Sequence, residues 1–274
     1  MTVPWRRPVR HAFLRSARAE FLKIWASRVP LVFLLAIPVG CYLVVFELYH
    51  VEHIREEMHV RHALHALPAL FFGVWRMMLF QAAVLAFAAF WATIDSQYGM
   101  IRVASTQPLS RVEYLLSKWL GISVHLALVT AALILSLVGW AALYSGLHGI
   151  GAPEIGMLLR FSFELLALTL AFGGVGMATA SFRRTVASGM VTAMLAFIGL
   201  AVMTMLPFDV FPPRFVFVRY FFFPMQEFPS PFLGGDNPFV RMYSISDFYV
   251  VALATPLVFW IPAILYFRHR DISE

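Results

Sequence analysis

The residues best equipped for metal chemistry are histidines. Most of the nine lie in one stretch, His50, His53, His59, His62 and His65, interleaved with Glu52, Glu56 and Glu57. Imidazoles beside carboxylates are a ligand type suited to Cu or Zn. A spacing of three, however, fans His59, His62 and His65 around a helix and dictates no converging set of three. The stretch therefore reads as a solvated helical extension of its neighbours, with no metal site. The single cysteine, Cys41, excludes an intrachain disulfide and a cysteine-cluster metal centre.

Nucleotide chemistry is missing its usual parts. No G-x-x-x-x-G-K-[ST] phosphate loop occurs, and the only lysines, Lys23 and Lys118, follow no glycine-rich turn. Neither H-E-x-x-H nor G-x-S-x-G is present. By this reading the chain is not an enzyme and carries no cofactor of its own. Any ATP and Mg would be bound by another chain.

The remaining chemistry lies in ionisable or amide groups inside long apolar runs, where such groups are costly and are functional candidates by default. Arg160 and Glu164 stand i, i+4 and can pair along one helix face. Arg76 and Gln81 lie early in another run. His125 is a lone histidine, read as a hydrogen-bonded packing residue and not as a ligand.

Composition decides what carries these residues. Of 274 residues, 61% are apolar and 13% charged. Soluble domains average about 45–50% and about 25%, and the mean hydropathy is +0.77. This is a polytopic membrane protein, with one all-helical domain over residues 1–274. A span takes about 20 residues, and six apolar stretches qualify, near 29–48, 70–94, 119–144, 157–181, 187–206 and 248–267. The net charge of +6 therefore bears on orientation and not on nucleic acid. Arg6, Arg7, Arg10, Arg15, Arg18, Lys23, Arg28, Arg102, Arg111, Lys118, Arg183, Arg184, Arg268 and Arg270 fall on one side. Only Arg55, Arg61, Arg214, Arg219 and Arg241 fall on the other. Both termini are expected in the cytoplasm, with the chain in the inner membrane. The first apolar run has a long basic lead and no small-residue cleavage site after it, so it reads as a retained helix.

Three segments stand apart from the spans. Residues 9–28 place Phe13, Leu14, Ala17, Phe21, Ile24 and Trp25 on one helix face, with Arg15, Arg18, Glu20 and Lys23 on the other. That pattern suits a helix lying among inner-leaflet headgroups. Residues 207–249 are rich in aromatics and prolines, including Phe221, Phe222 and Phe223, and read as re-entrant or interfacial segments at the outer leaflet. Residues 96–118 form a cytoplasmic connection. Gly99 permits a sharp exit from the second span, and Met100, Ile101, Arg102 and Val103 suit a short helix in the membrane plane. Pro108 interrupts it, and Ser110 with Glu113 forms a capping box for the next helix.

This segment resembles the signature of the ABC-2 type transporter permeases. Asp95, Gly99, Pro108, Leu109, Ser110, Arg111, Tyr114 and Lys118 match in order and spacing, while Met100 stands where a threonine is usual. The carboxyl end from Leu265 through Arg268, His269, Arg270, Asp271 and Ile272 is similar to the family's closing pattern. The helix over 9–28 resembles the family's elbow helix. The resemblance implies a coupling segment, with Gly99, Met100, Ile101, Arg102, Val103, Pro108 and Arg111 at its contact with an ABC ATPase. It also implies a second permease, identical or related, a lipid environment, and a role for Phe221, Phe222 and Phe223 in an outer gate. The expected activity is export of a hydrophobic, lipid-like or peptide substrate. A competing reading is a subunit that transmits force to a periplasmic protein, or one linked to metal-centre maturation. A self-sufficient secondary transporter would call for inverted repeats with broken helices, which are not evident.

Overall fold

The computed structural model describes residues 9–50, 74–98, 110–145, 152–205 and 245–269, which are helical apart from short caps and turns. Seven helices lie among them: α1 (Val9–Ala26), α2 (Val29–His50), α3 (Val74–Gln97), α4 (Arg111–Ser145), α5 (Ala152–Ala180), α6 (Val186–Met205) and α7 (Ile245–His269). Each apolar stretch marked in the sequence has become one of α2 to α7. Pro38 in α2, and Pro256 and Pro262 in α7, are accommodated inside continuous helices. Two helical stretches, Arg111–Trp140 and Leu158–Ala180, are long and apolar enough to cross a membrane, and shorter apolar stretches run through α6 and α7.

Helix α5 is the centre, packed on α3, α4, α6 and α7. Leu165, Leu168, Phe172 and Val175 along it are fully buried. One of its glycines lets a neighbour approach to backbone contact. A Cβ on Gly176 would lie 2.5 Å from the Leu85 carbonyl oxygen of α3, a space only glycine fits. Helices α1 and α2 join this core through α4 and barely touch each other, although only Ser27 and Arg28 separate them.

The bundle is apolar outside and partly polar within. Val32, Leu35, Val39 and Leu43 of α2, Val191, Leu195 and Ile198 of α6, and Leu257, Val258 and Ile261 of α7 are exposed. Gln81, Thr93, Asp95, Lys118, His125, Thr130, Glu164 and Thr169 are buried. In water such an exterior would be an aggregation surface; against lipid it is the expected one. The buried threonine hydroxyls are satisfied within their own helices, as in Thr130 to the Leu126 carbonyl (2.9 Å) and Thr169 to that of Leu165 (2.7 Å).

Helix α1 departs from the simple two-faced reading. Ala17 and Ile24 are buried as expected, but Leu14 is 59% exposed. Glu20 and Lys23, assigned to the charged face with Arg15 and Arg18, turn inward, while those two arginines stay exposed. The reason is tertiary: α1 lies along α4, and residues at the margin of its apolar stripe meet charged partners there.

Candidate functional site

The end of α3 and the start of α4 frame residues 99–109, which lie outside the described residues. The frame starts with a local device. The Ser110 backbone N–H donates to Glu113 Oε2 (2.7 Å), and the Glu113 N–H donates to Ser110 Oγ (3.2 Å). This is the expected capping box, and it fixes where α4 begins.

Four residues further on, Tyr114 and Lys118 share one face of α4. Both reach Asp95, in the last turn of α3. The Tyr114 hydroxyl donates to Asp95 Oδ2 (2.7 Å), and Lys118 Nζ donates to the same oxygen. The other carboxylate oxygen receives Lys23 Nζ from α1. Glu20 closes the group, with Oε2 3.4 Å from Lys23 Nζ and 4.0 Å from Lys118 Nζ. Thus the chain's only two lysines meet on one carboxylate. The side chains of Asp95 and Lys118 are each 3% exposed, whereas that of Lys23 is 29% exposed. Two cations and two anions make the cluster neutral, the condition under which charges can be buried together.

The frame has further ties. Gln97 Oε1 accepts the Val186 N–H at the start of α6 (2.9 Å), and an Arg111 guanidinium N–H donates to the Arg268 carbonyl near the end of α7 (3.3 Å). Above the ionic cluster, α1 continues along α4. Ser16 and Ser117 hydroxyls are hydrogen-bonded at 2.9 Å, and Gly121 leaves the notch in which Glu20 and Phe21 sit. Five helices are thereby fastened around the ends of one short segment.

Of the residues singled out in the sequence, Arg111 belongs to this frame. Gly99, Met100, Ile101, Arg102, Val103 and Pro108 lie outside the described residues, as do His59, His62, His65, Phe221, Phe222 and Phe223 and the Arg76 side chain. Arg160 Nε and Glu164 Oε1 pair at 2.8 Å on α5, far along the chain from the frame. Gln81 is buried in α3. His125 is a buried packing residue, but ring contacts hold it in place of the expected hydrogen bonds. It stacks on Phe87 (centroids 4.7 Å, planes 20° apart) and meets the edge of Trp25 at 5.9 Å. Among the described residues no group of three His, Cys, Asp or Glu is placed to hold a metal. Glu20 and Lys23 were missed as site residues. The available signal was the use of lysine at only two positions in a chain otherwise furnished with arginine.

An all-helical bundle with a lipid-suited exterior, buried charges and a framed connection at one end is the build of a membrane transport subunit. The chain belongs to the ABC-2 family of transporter proteins, whose family model matches residues 14–268. The match runs from within α1 to within α7 and so takes in every helix described. Members are membrane transport components, and the chain is a permease subunit of an ABC transporter whose family works with an ABC ATPase. A search of curated proteins returned no match.

Proposed function

We propose that the chain is a six-span exporter permease of the inner membrane, with both termini cytoplasmic and α1 as an interfacial elbow helix. Residues 99–110 dock on a separate ATPase subunit, which binds ATP and Mg. Closure of the ATPases moves this segment and opens a path for a hydrophobic, lipid-like or peptide substrate. The path runs between two permeases, identical or related, because the described interior around α5 is filled by Leu165, Leu168, Phe172 and Ile122. Phe221, Phe222 and Phe223 serve the outer gate on the same plan. The observation that carries the reading is the frame, with Asp95, Tyr114 and Lys118 gathered on one carboxylate beside the segment they flank.

The segment is tested at Met100 and Arg102. An exposed ion pair contributes about 0–1 kcal/mol, but one desolvated at an interface matters several-fold more. Met100→Asp and Arg102→Glu should lower ATPase co-purification, or the permease-dependent change in ATP hydrolysis, at unchanged permease abundance. Arg111→Glu, which also loses the tie to the Arg268 carbonyl, should reduce abundance as well. If both segment variants keep full assembly and full hydrolysis, the docking role is wrong.

Orientation is tested by fusions to a reporter active only outside the cytoplasm. Signal is expected after Ala63, Gly151 and Gly234, and none after Ser105, Arg184 or Glu274. Activity at Glu274 would mean an odd span count.

A further inference from the structure

We propose that Glu20 and Lys23 are positioning residues that make α1 a moving part of the coupling device, holding it to α4 so that it follows α4 and not α2 when residues 99–109 are displaced. The inference rests on the coupling reading above and deepens it.

Among the described residues the contacts of α1 are one-sided. It packs along α4 and touches α2 sparsely, although α2 is its chain neighbour. Three kinds of contact join α1 to α4 and the end of α3. The first is ionic: Lys23 reaches the Asp95 carboxylate that Lys118 also holds, and Glu20 stands near both ammonium groups. Asp95 and Lys118, each 3% exposed, keep a fixed arrangement because parting them leaves a charge without its partner, and Lys23, 29% exposed, ties α1 to that pair from its outer edge. The second is close packing, since a Cβ on Gly121 would lie 2.9 Å from Glu20 Cβ and 3.1 Å from the Phe21 nitrogen. The third is the Ser16–Ser117 hydrogen bond, with the Trp25–His125 ring contact two turns or more further along.

The junction toward α2 is of another kind. The Ser27 N–H and hydroxyl both donate to the Ile24 carbonyl (3.2 and 2.6 Å), which ends α1. Two non-helical residues then precede α2. Firm side contacts to α4 and a short joint to α2 put the hinge at Ser27 and Arg28. A push on the 99–109 segment therefore reaches α1 through Asp95 and Lys118, and the relative movement falls between α1 and α2.

The test uses the permease–ATPase complex in lipid nanodiscs, with Cys41→Ser as background. Ser16→Cys with Ser117→Cys places two thiols where hydroxyls are 2.9 Å apart, within reach of a disulfide at about 2.0 Å. With a thiol oxidant added at one fixed concentration, cross-linking should proceed at the same rate, within about twofold, in the nucleotide-free and the ATP–vanadate-trapped complex, and the locked complex should keep kcat for ATP hydrolysis within about twofold. Lys23→Met should slow cross-linking about threefold or more and lower kcat, with KM for ATP and subunit stoichiometry unchanged, and Lys23→Arg should restore both. Arrest of hydrolysis by the cross-link, or rates about tenfold apart in the two states, would mean that α1 slides on α4 and would overturn the inference. Unchanged cross-linking and kcat in Lys23→Met would do the same while leaving the coupling reading intact. A permease that brings down no ATPase defeats the coupling reading, and the inference with it, whatever Lys23→Met does.

Discussion

Replacing Asp95 by Ala should destabilise the permease by about 3–5 kcal/mol, the range for removing one member of a buried ion pair. The size follows from what is left behind. Lys118, 3% exposed, loses the carboxylate that accepts its hydrogen bond and keeps, among the described residues, Glu20 at 4.0 Å and the Tyr114 ring at 5.9 Å. The part-buried Tyr114 hydroxyl also loses its acceptor, which adds an unsatisfied donor. Lys23 adds little, because at 29% exposure it can turn to water. The residual attraction of Glu20 puts the expected value toward the lower end of the range. Thermal unfolding of the purified permease in one detergent measures it. The paired change Asp95→Ala with Lys118→Met should recover much of the loss, since it removes the stranded charge along with its partner. An unchanged melting midpoint in the single variant would show that the cluster contributes nothing to the fold.

Gly176→Leu should come next in size, through the contact of α3 with α5. Its Cβ would lie 2.5 Å from a carbonyl oxygen and 3.0 Å from a Cα of Leu85, so no flexible side chain can yield and the helices must part. Overpacking a filled core costs about 1–3 kcal/mol, and a bulky side chain against backbone belongs at the top of that range. Abundance and melting temperature should both fall. Gly199→Ala is the control: a Cβ there meets nothing within 4 Å, so its melting temperature should hold. Equal effects from the two variants would mean that helix propensity, and not the contact between α3 and α5, governs these glycines.

Much of the fold was legible because its determinants are local. Long apolar runs announce helices, and α2 to α7 appear where those runs lie. The Ser110–Glu113 capping box and the Arg160–Glu164 pair needed only spacings of three and four on one helix, and both form. The Asp95, Tyr114 and Lys118 positions could be marked from their resemblance to the family's signature. Their convergence could not.

The rest was decided by packing. In a membrane protein the buried face and the lipid face are both apolar, so hydropathy does not tell Leu14, exposed, from Ile24, buried. Nor does spacing reveal that Lys23 meets a carboxylate 72 positions away, or that α1 chooses α4 over its neighbour α2. His125 followed the same rule, its partners Phe87 and Trp25 coming from two other helices. The sequence by itself determined the class of protein, the placing of the helices and the local caps, because hydrogen bonding within a helix and the transfer of apolar side chains depend on near neighbours alone. Only the tertiary structure decided which charges share the Asp95 carboxylate, because that depends on helices meeting at close range, with Gly121 and Gly176 making the room.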